Sequence, residues 1–257
     1  MNEILKTAED GPHAVVTGGA SGIGEAIAEQ LSAAGMRLTL MGRNPSRLAV
    51  TANKLGAFSQ QVDISNADDV QRGFTAAVAA NGPVNILVNN AGAAESCTFS
   101  KMDNALWDRM LTVNLTGTYL CTRAVINDMA KANFGRIINI ASTASQKGYA
   151  YVTAYCAAKH GVLGLTRALA IEMAKKGITV NAVCPGYTDT EMVSRSLDTI
   201  IENTGMSREA ALAELVRNNP QGRLIEPVEV AQAVLWLCHA NSGSVTGQAI
   251  SVAGGEI

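Results

Sequence analysis

No run of the 257-residue chain approaches the ~20 apolar residues that a membrane-spanning helix requires. Met1 to Pro12 carries Glu3, Glu9 and Asp10 rather than the basic-then-apolar order of a secretory signal. Net charge is only −2, which offers no basic field to nucleic acid. The five cysteines, Cys97, Cys121, Cys156, Cys184 and Cys238, are scattered and contain no CxxC, which reads as free thiols in a reducing, cytoplasmic compartment. The three histidines, His13, His160 and His239, are too far apart in sequence to make a metal site by themselves, so no metal is expected. A G-x-S-x-G elbow is missing and no histidine is placed to serve Ser142, which argues against a serine hydrolase. There is no linker, low-complexity tract or fixed-period repeat, so residues 1–257 are expected to be one domain with its core over 12–255. What is present, 47% hydrophobic and 16% charged residues, suits a large buried core rather than disorder.

The patterning alternates short apolar runs with helical periodicity. His13 to Thr17 reads as a buried strand, Gly18-Gly19-Ala20-Ser21-Gly22-Ile23-Gly24 as a turn, and Glu25 to Ala34 as a helix with Ile27 and Leu31 on one face. Strand, glycine turn and helix together make a dinucleotide phosphate site: the glycines admit the pyrophosphate and the helix start favours its charge. Met36 to Met41 is a second strand. An NAD-binding fold would place a carboxylate at its end. Here stand Gly42, which leaves room, and Arg43, which can fork onto a 2′-phosphate, so NADP(H) is expected ahead of NAD(H) unless Arg43 is only a solvated loop charge. Leu48 to Leu55 is helical, Ala57 to Val62 a strand ending at Asp63, and Asn66 or Asp68 caps the next helix. Val84 to Val88 is a strand ending in Asn89-Asn90-Ala91-Gly92.

Asp103 to about Lys131 reads as one long helix with Asn114, a poor mid-helix residue, inside it. Arg136 to Ala141 is a strand tipped by Ser142, the helix carrying Tyr155 and Lys159 runs on to Lys176, and Ile178 to Val183 is a strand ending Cys184-Pro185-Gly186-Tyr187-Thr188-Asp189-Thr190. Residues 190–222 turn polar, with a short helix over Ala210 to Val216, and form either a lid over the site or a solvated excursion. Pro227 to Leu237 is a helix with Trp236 and Leu237 facing the core, and Gln248 to Val252 the last strand.

Tyr155 and Lys159, four residues apart, share one helical face. A phenol of reference pKa ~10 is a reluctant base, and a nearby ammonium is expected to lower that pKa by ~1–3 units. Tyr119 with Arg123 has the same spacing but no serine-tipped strand before it. Tyr149 and Tyr151 have no basic residue four positions on and are expected to line the approach.

Taken together, Thr17-Gly18-x-x-x-Gly22-Ile23-Gly24, Asn89-Asn90-Ala91-Gly92, Asn114, Ser142, Tyr155-x-x-x-Lys159 and Pro185-Gly186 closely resemble the short-chain dehydrogenases/reductases, from about Ala14 to Gly255. The resemblance implies a Rossmann fold with a doubly wound, seven-stranded parallel sheet and helices on both faces. It implies a catalytic tetrad of Asn114, Ser142, Tyr155 and Lys159. Gly18, Ser21, Gly22, Ile23, Gly24, Asp63, Ile64, Asn90, Ala91, Gly92, Pro185, Gly186, Thr188 and Thr190 would meet the dinucleotide, together with Arg43, Tyr155 and Lys159. In that scheme Asp63 contacts the adenine, Asn90 the adenosine or nicotinamide side, and Thr188 and Thr190 the carboxamide. Tyr155 exchanges a proton with the substrate oxygen, Ser142 steadies that oxygen, Lys159 binds the ribose, and Asn114 keeps a relay water in line. Homotetramers through the long helices Asp103 to Lys131 and Tyr149 to Lys176 are also implied.

The segments Asn139 to Thr143 and Val180 to Gly186 are similar to those of 3-oxoacyl reductases and polyketide ketoreductases. They imply reduction of a CoA- or carrier-linked ketone, with Lys131, Arg136 or Arg167 available to meet a carrier arm. Alternatives are a hydroxyacyl-CoA or secondary-alcohol dehydrogenase running oxidatively with NAD, and an NADP(H)-binding sensor that catalyses nothing.

Overall fold

The structure is a computed structural model that describes residues 11–257; the reading of Met1 to Asp10 as lacking a signal lies outside the described residues. Seven strands, β1 (His13–Thr17), β2 (Arg37–Gly42), β3 (Phe58–Gln61), β4 (Ile86–Asn89), β5 (Gly135–Ile140), β6 (Ile178–Pro185) and β7 (Ala249–Val252), form one parallel sheet of order β3-β2-β1-β4-β5-β6-β7. Parallel strands need crossovers, and helices supply them: α1 (Gly22–Ala33), α2 (Pro45–Leu55), α3 (Ala67–Asn81), α4 (Asn104–Leu111), α5 (Gly117–Ala132), α6 (Thr153–Met173), α7 (Glu191–Thr204), α8 (Arg208–Val216) and α9 (Pro227–Cys238).

Side chains alternate across the pleat, so β1 sends Ala14 and Val16 to one face and Val15 to the other. The first face packs on Ile27 and Leu31 of α1 and Val230 and Val234 of α9. The second packs on Phe74 of α3 and Val125 and Met129 of α5. With both faces covered, every residue of β1 is buried, which explains why Ala14, Val15 and Val16 are apolar without alternation. Each large aliphatic group so buried contributes about 1.5–3 kcal/mol.

The ends follow local chemistry. Asn44 accepts the Arg47 N–H at 3.1 Å and Pro45 opens α2. Of the two candidate caps for α3, Asn66 serves, accepting the Asp69 N–H at 3.0 Å. The chain order reverses between β1 and β4, which opens a crevice at their C-terminal ends.

Several expectations are corrected. Asp103 to Lys131 is not one regular helix: a π-turn, Thr112–Thr116, separates α4 from α5 and carries Asn114. The helix expected from Tyr149 begins only at Thr153, because Tyr151 takes φ +67° and closes a turn instead; its α part ends at Met173, ahead of a 3₁₀ turn, Ala174–Lys176. Trp236 is 49% exposed, since the buried stripe of α9 runs through Val230, Ala231, Val234 and Leu237 and leaves it to one side. The 190–222 excursion holds two helices rather than one, with Val193 and Leu197 of α7 packed against Ala211 of α8.

Candidate active site

A cleft of about 1230 Å³ runs along the C-terminal ends of the strands. One end is built by the glycine turn. Gly18 has φ +65°, its N–H donates to the Met41 carbonyl at 2.7 Å, and a Cβ there would sit 2.9 Å from Asn90 Nδ2. Ser21 does not cap α1 with its side chain, and Gly22 and Ile23 of the first turn border the cleft, where the helix dipole favours an anion. Gly24 is the exception among the expected contacts: it lies beneath the turn, where a Cβ would come 2.1 Å from the Gly18 carbonyl oxygen. Its role is close packing of helix on strand.

The other expected cofactor residues, Gly18, Ser21, Gly22, Ile23, Arg43, Asp63, Ile64, Asn90, Ala91, Gly92, Pro185, Gly186, Thr188 and Thr190, all border the cleft. Arg43 is exposed at its rim and makes no ion pair among the described residues. Asp63 accepts the Ser65 hydroxyl at 2.6 Å and its N–H at 2.9 Å, which holds its pKa below the ordinary value. The Asn90 amide is spent on the Thr17 and Gly18 carbonyls at 3.0 and 3.2 Å, so it braces the turn. Thr190 stands over Gly22, its Cγ2 3.0 Å from where a Cβ would be. The cradle fits a dinucleotide: a helix start without a side-chain cap lies at its floor, and Gly18 and Gly22 leave no room for a side chain.

At the far end the structure brings Ser142, Tyr155, Lys159 and Asn114 to one wall. Ser142 follows β5 and its Oγ accepts the Ala144 N–H at 3.1 Å, which turns the hydroxyl toward the cleft. Lys159 Nζ donates to the Ile140 carbonyl at 2.8 Å and lies 5.6 Å from the Tyr155 ring centroid. Asn114 is 1% exposed; its amide donates to the carbonyls of Ala93 and Met110 at 2.9 and 3.0 Å, and its Oδ1 accepts the Ala93 N–H at 3.2 Å. Those bonds give the π-turn its reason and clamp the loop after β4. Gly92 must be small, because a Cβ there would sit 2.8 Å from Asn114 Oδ1.

The electrostatics reverse one expectation. Burial pushes the Tyr155 hydroxyl up to about 12, opposed by the neighbouring Ser142 hydroxyl, and burial also lowers Lys159 to about 8. Lys159 does not bring the phenol down; desolvation outweighs proximity. The phenol therefore stays protonated across the physiological range and is poised as a proton donor.

Tyr149 and Tyr151 border the approach as expected, whereas Tyr119 and Arg123 meet each other at 3.3 Å on the exposed face of α5. Arg136 is 5% exposed, donates to the Gly135 carbonyl at 2.9 Å and lies 4.6 Å from the Phe134 ring centroid, so it is turned inward and meets no carrier arm. Sequence reasoning missed Arg47, which lines the cleft and reaches Glu191 of α7 at 2.9 Å, a pairing 144 residues apart that carries no local signal. In the 190–222 segment, read from sequence as a lid or a solvated excursion, α7 had not been foreseen as a helix; it contributes Met192, Val193, Ser196 and Ile200 to the cleft wall.

The short-chain dehydrogenase family profile matches residues 12–200. The ketoacyl reductase 1 of the granaticin polyketide synthase of Streptomyces violaceoruber is 41% identical, with 95% of this chain and 92% of that protein covered. An acetoacetyl-CoA reductase of Rhizobium meliloti is 40% identical over 95% of this chain and 97% of its own. The solved structure of a variant actinorhodin polyketide ketoreductase with NADPH superposes with a TM-score of 0.93 at 36% identity, covering 97% of this chain and 98% of that one. The glycine cradle, the seven-stranded sheet and these likenesses make one statement: the chain belongs to the short-chain dehydrogenase/reductase family, NAD(P)-dependent oxidoreductases that act on CH–OH groups.

Proposed function

We propose that this protein reduces the ketone of a 3-oxoacyl thioester, carried on CoA or an acyl carrier, to the secondary alcohol with NADPH. The observation that carries the reading is the placing of Tyr155, Ser142 and Lys159 together on the cleft lining, with Lys159 Nζ 5.6 Å from the Tyr155 ring centroid. NADPH, when bound, supplies the hydride. The turn from Gly18 to Ile23 holds the pyrophosphate with backbone N–H groups, and Arg43 neutralises the 2′-phosphate. Asp63 and Ile64 would border the adenine, Ala91 and Gly92 the middle of the dinucleotide with Asn90 bracing the turn beneath it, and Pro185, Gly186, Thr188 and Thr190 would border its carboxamide end. Ser142 hydrogen-bonds the ketone oxygen, Tyr155 gives it a proton, and Lys159 holds the ribose. Asn114 braces the loop at Ala93, next to Gly92. With both amide hydrogens donated, any water it holds for a relay meets one of its oxygens.

The substrate class rests on the names of the ketoacyl and acetoacetyl-CoA reductases above. Oxidative use with NAD is the less favoured reading: an NAD site of this kind places a carboxylate where Arg43 stands. The test follows NADPH consumption at 340 nm with acetoacetyl-CoA, with NADH and a simple cyclic ketone as controls. We expect thioester turnover and a KM for NADPH at least about tenfold below that for NADH, about 1.4 kcal/mol of discrimination. An NADH preference would remove the Arg43 argument, and turnover of the cyclic ketone alone would remove the thioester.

A further inference from the structure

Behind the substrate side of the cleft lies a buried carboxylate that the chemistry above does not use. After β7, Gly254 and Gly255 take φ of +62° and +94°, and a Cβ on Gly254 would fall 2.0 Å from Asn219 Oδ1. Only glycine permits so tight a turn against residues 219–220. The turn delivers Glu256, whose side chain is 3% exposed, to Tyr149. Glu256 Oε1 accepts the Tyr149 hydroxyl at 2.6 Å and pairs with Lys147 Nζ at 2.8 Å. Lys147 Nζ also lies 5.0 Å from the Tyr149 ring centroid. A phenol has one proton, and the carboxylate is its strongest acceptor here, so the Thr143 hydroxyl, 2.7 Å away, donates to the phenol oxygen. The ring is thus held at its tip from two sides and along its face. It lines the cleft and meets Tyr187 edge-on, with centroids 6.4 Å apart at 81°.

We infer that Glu256 is a positioning residue whose carboxylate fixes Tyr149, with Tyr187 beside it, as a rigid wall of the substrate pocket and so limits the size of the group a ketone carries beside its carbonyl. This rests on the ketone-reductase reading and deepens it. Burying a carboxylate is costly unless it is paired, and an apolar contact would cover the same surface without that cost. What the charge adds is a fixed direction for the phenol.

The test compares wild type, Glu256→Ala and Glu256→Gln with NADPH over 3-oxoacyl-CoA esters of increasing bulk. In Glu256→Ala the KM for acetoacetyl-CoA rises about tenfold, kcat and the KM for NADPH stay within about twofold, and bulkier esters gain relative kcat/KM. Glu256→Gln, which keeps an acceptor oxygen, restores most of the wild-type ranking. An unchanged KM and size ranking, or a joint fall of kcat and NADPH affinity, overturns the inference. A second measurement needs no turnover: nitration by tetranitromethane, mapped by peptide mass spectrometry, with Tyr151, 63% exposed, as internal reference. Loss of Glu256 raises the Tyr149 to Tyr151 nitration ratio about fivefold or more, because the freed phenol ionises more readily. An unchanged ratio overturns the inference. A wild type that reduces none of the esters would instead defeat the ketone-reductase reading, and the nitration ratio would still decide Glu256.

Discussion

Replacing Lys159 by Met should stabilise the ligand-free protein while abolishing its turnover. Lys159 is 5% exposed, and burial lowers its pKa from 10.5 to about 8. At neutral pH the folded state therefore carries an ammonium that it would rather release. The gap corresponds to about 3 kcal/mol of destabilisation below pH 8. Met fills the same space without charge but forfeits the 2.8 Å hydrogen bond to the Ile140 carbonyl, which offsets about 1 kcal/mol. The net gain is about 2 kcal/mol at pH 7, or a Tm about 5 °C higher for a chain of this length. The pH dependence gives the argument its signature. Between about 8 and 10.5 the unfolded chain holds a proton that the folded chain has released, so wild-type stability rises with pH by one proton, and the advantage of Met shrinks to nothing. Urea unfolding of both proteins at pH 7 and pH 10, alongside NADPH consumption, measures it. A Met variant less stable than wild type at pH 7, or a difference independent of pH, would refute the reasoning.

Tyr155→Phe keeps the ring and loses the proton; NADPH binding by fluorescence titration survives while turnover falls by about 100-fold or more. Gly24→Ala puts a methyl 2.1 Å from the Gly18 carbonyl oxygen, so the turn must open and NADPH affinity falls at least about tenfold, read by the same titration. His13 is fully buried, bonded to the Gly82 carbonyl and the Thr39 hydroxyl at 2.8 and 2.9 Å, and burial lowers its pKa below 6.5. Its contribution is present above pH 6.5 and lost as pH falls through the depressed folded value, so Tm drops on acidification from 7 to 5, and His13→Gln flattens that drop.

The residues of the site were legible where the signal is local. A buried strand running into glycines and a helix is spelled out between His13 and Leu31, and the four-residue spacing of Tyr155 and Lys159 follows from helix geometry. Arg43 could be read because its place, one residue beyond β2, is set by chain connectivity. Tertiary structure decided what depends on distant atoms. Asn114 forms a π-turn because the Ala93 and Met110 carbonyls claim its amide. Trp236 faces outward because the phase of α9 is set by the sheet beneath it. Glu256 reaches Tyr149, 107 residues back in the chain, only through the turn at Gly254 and Gly255. The direction of the Tyr155 shift belongs here too. Spacing reports that an ammonium is near, but desolvation is a property of everything packed around a group, and only the folded chain supplies it.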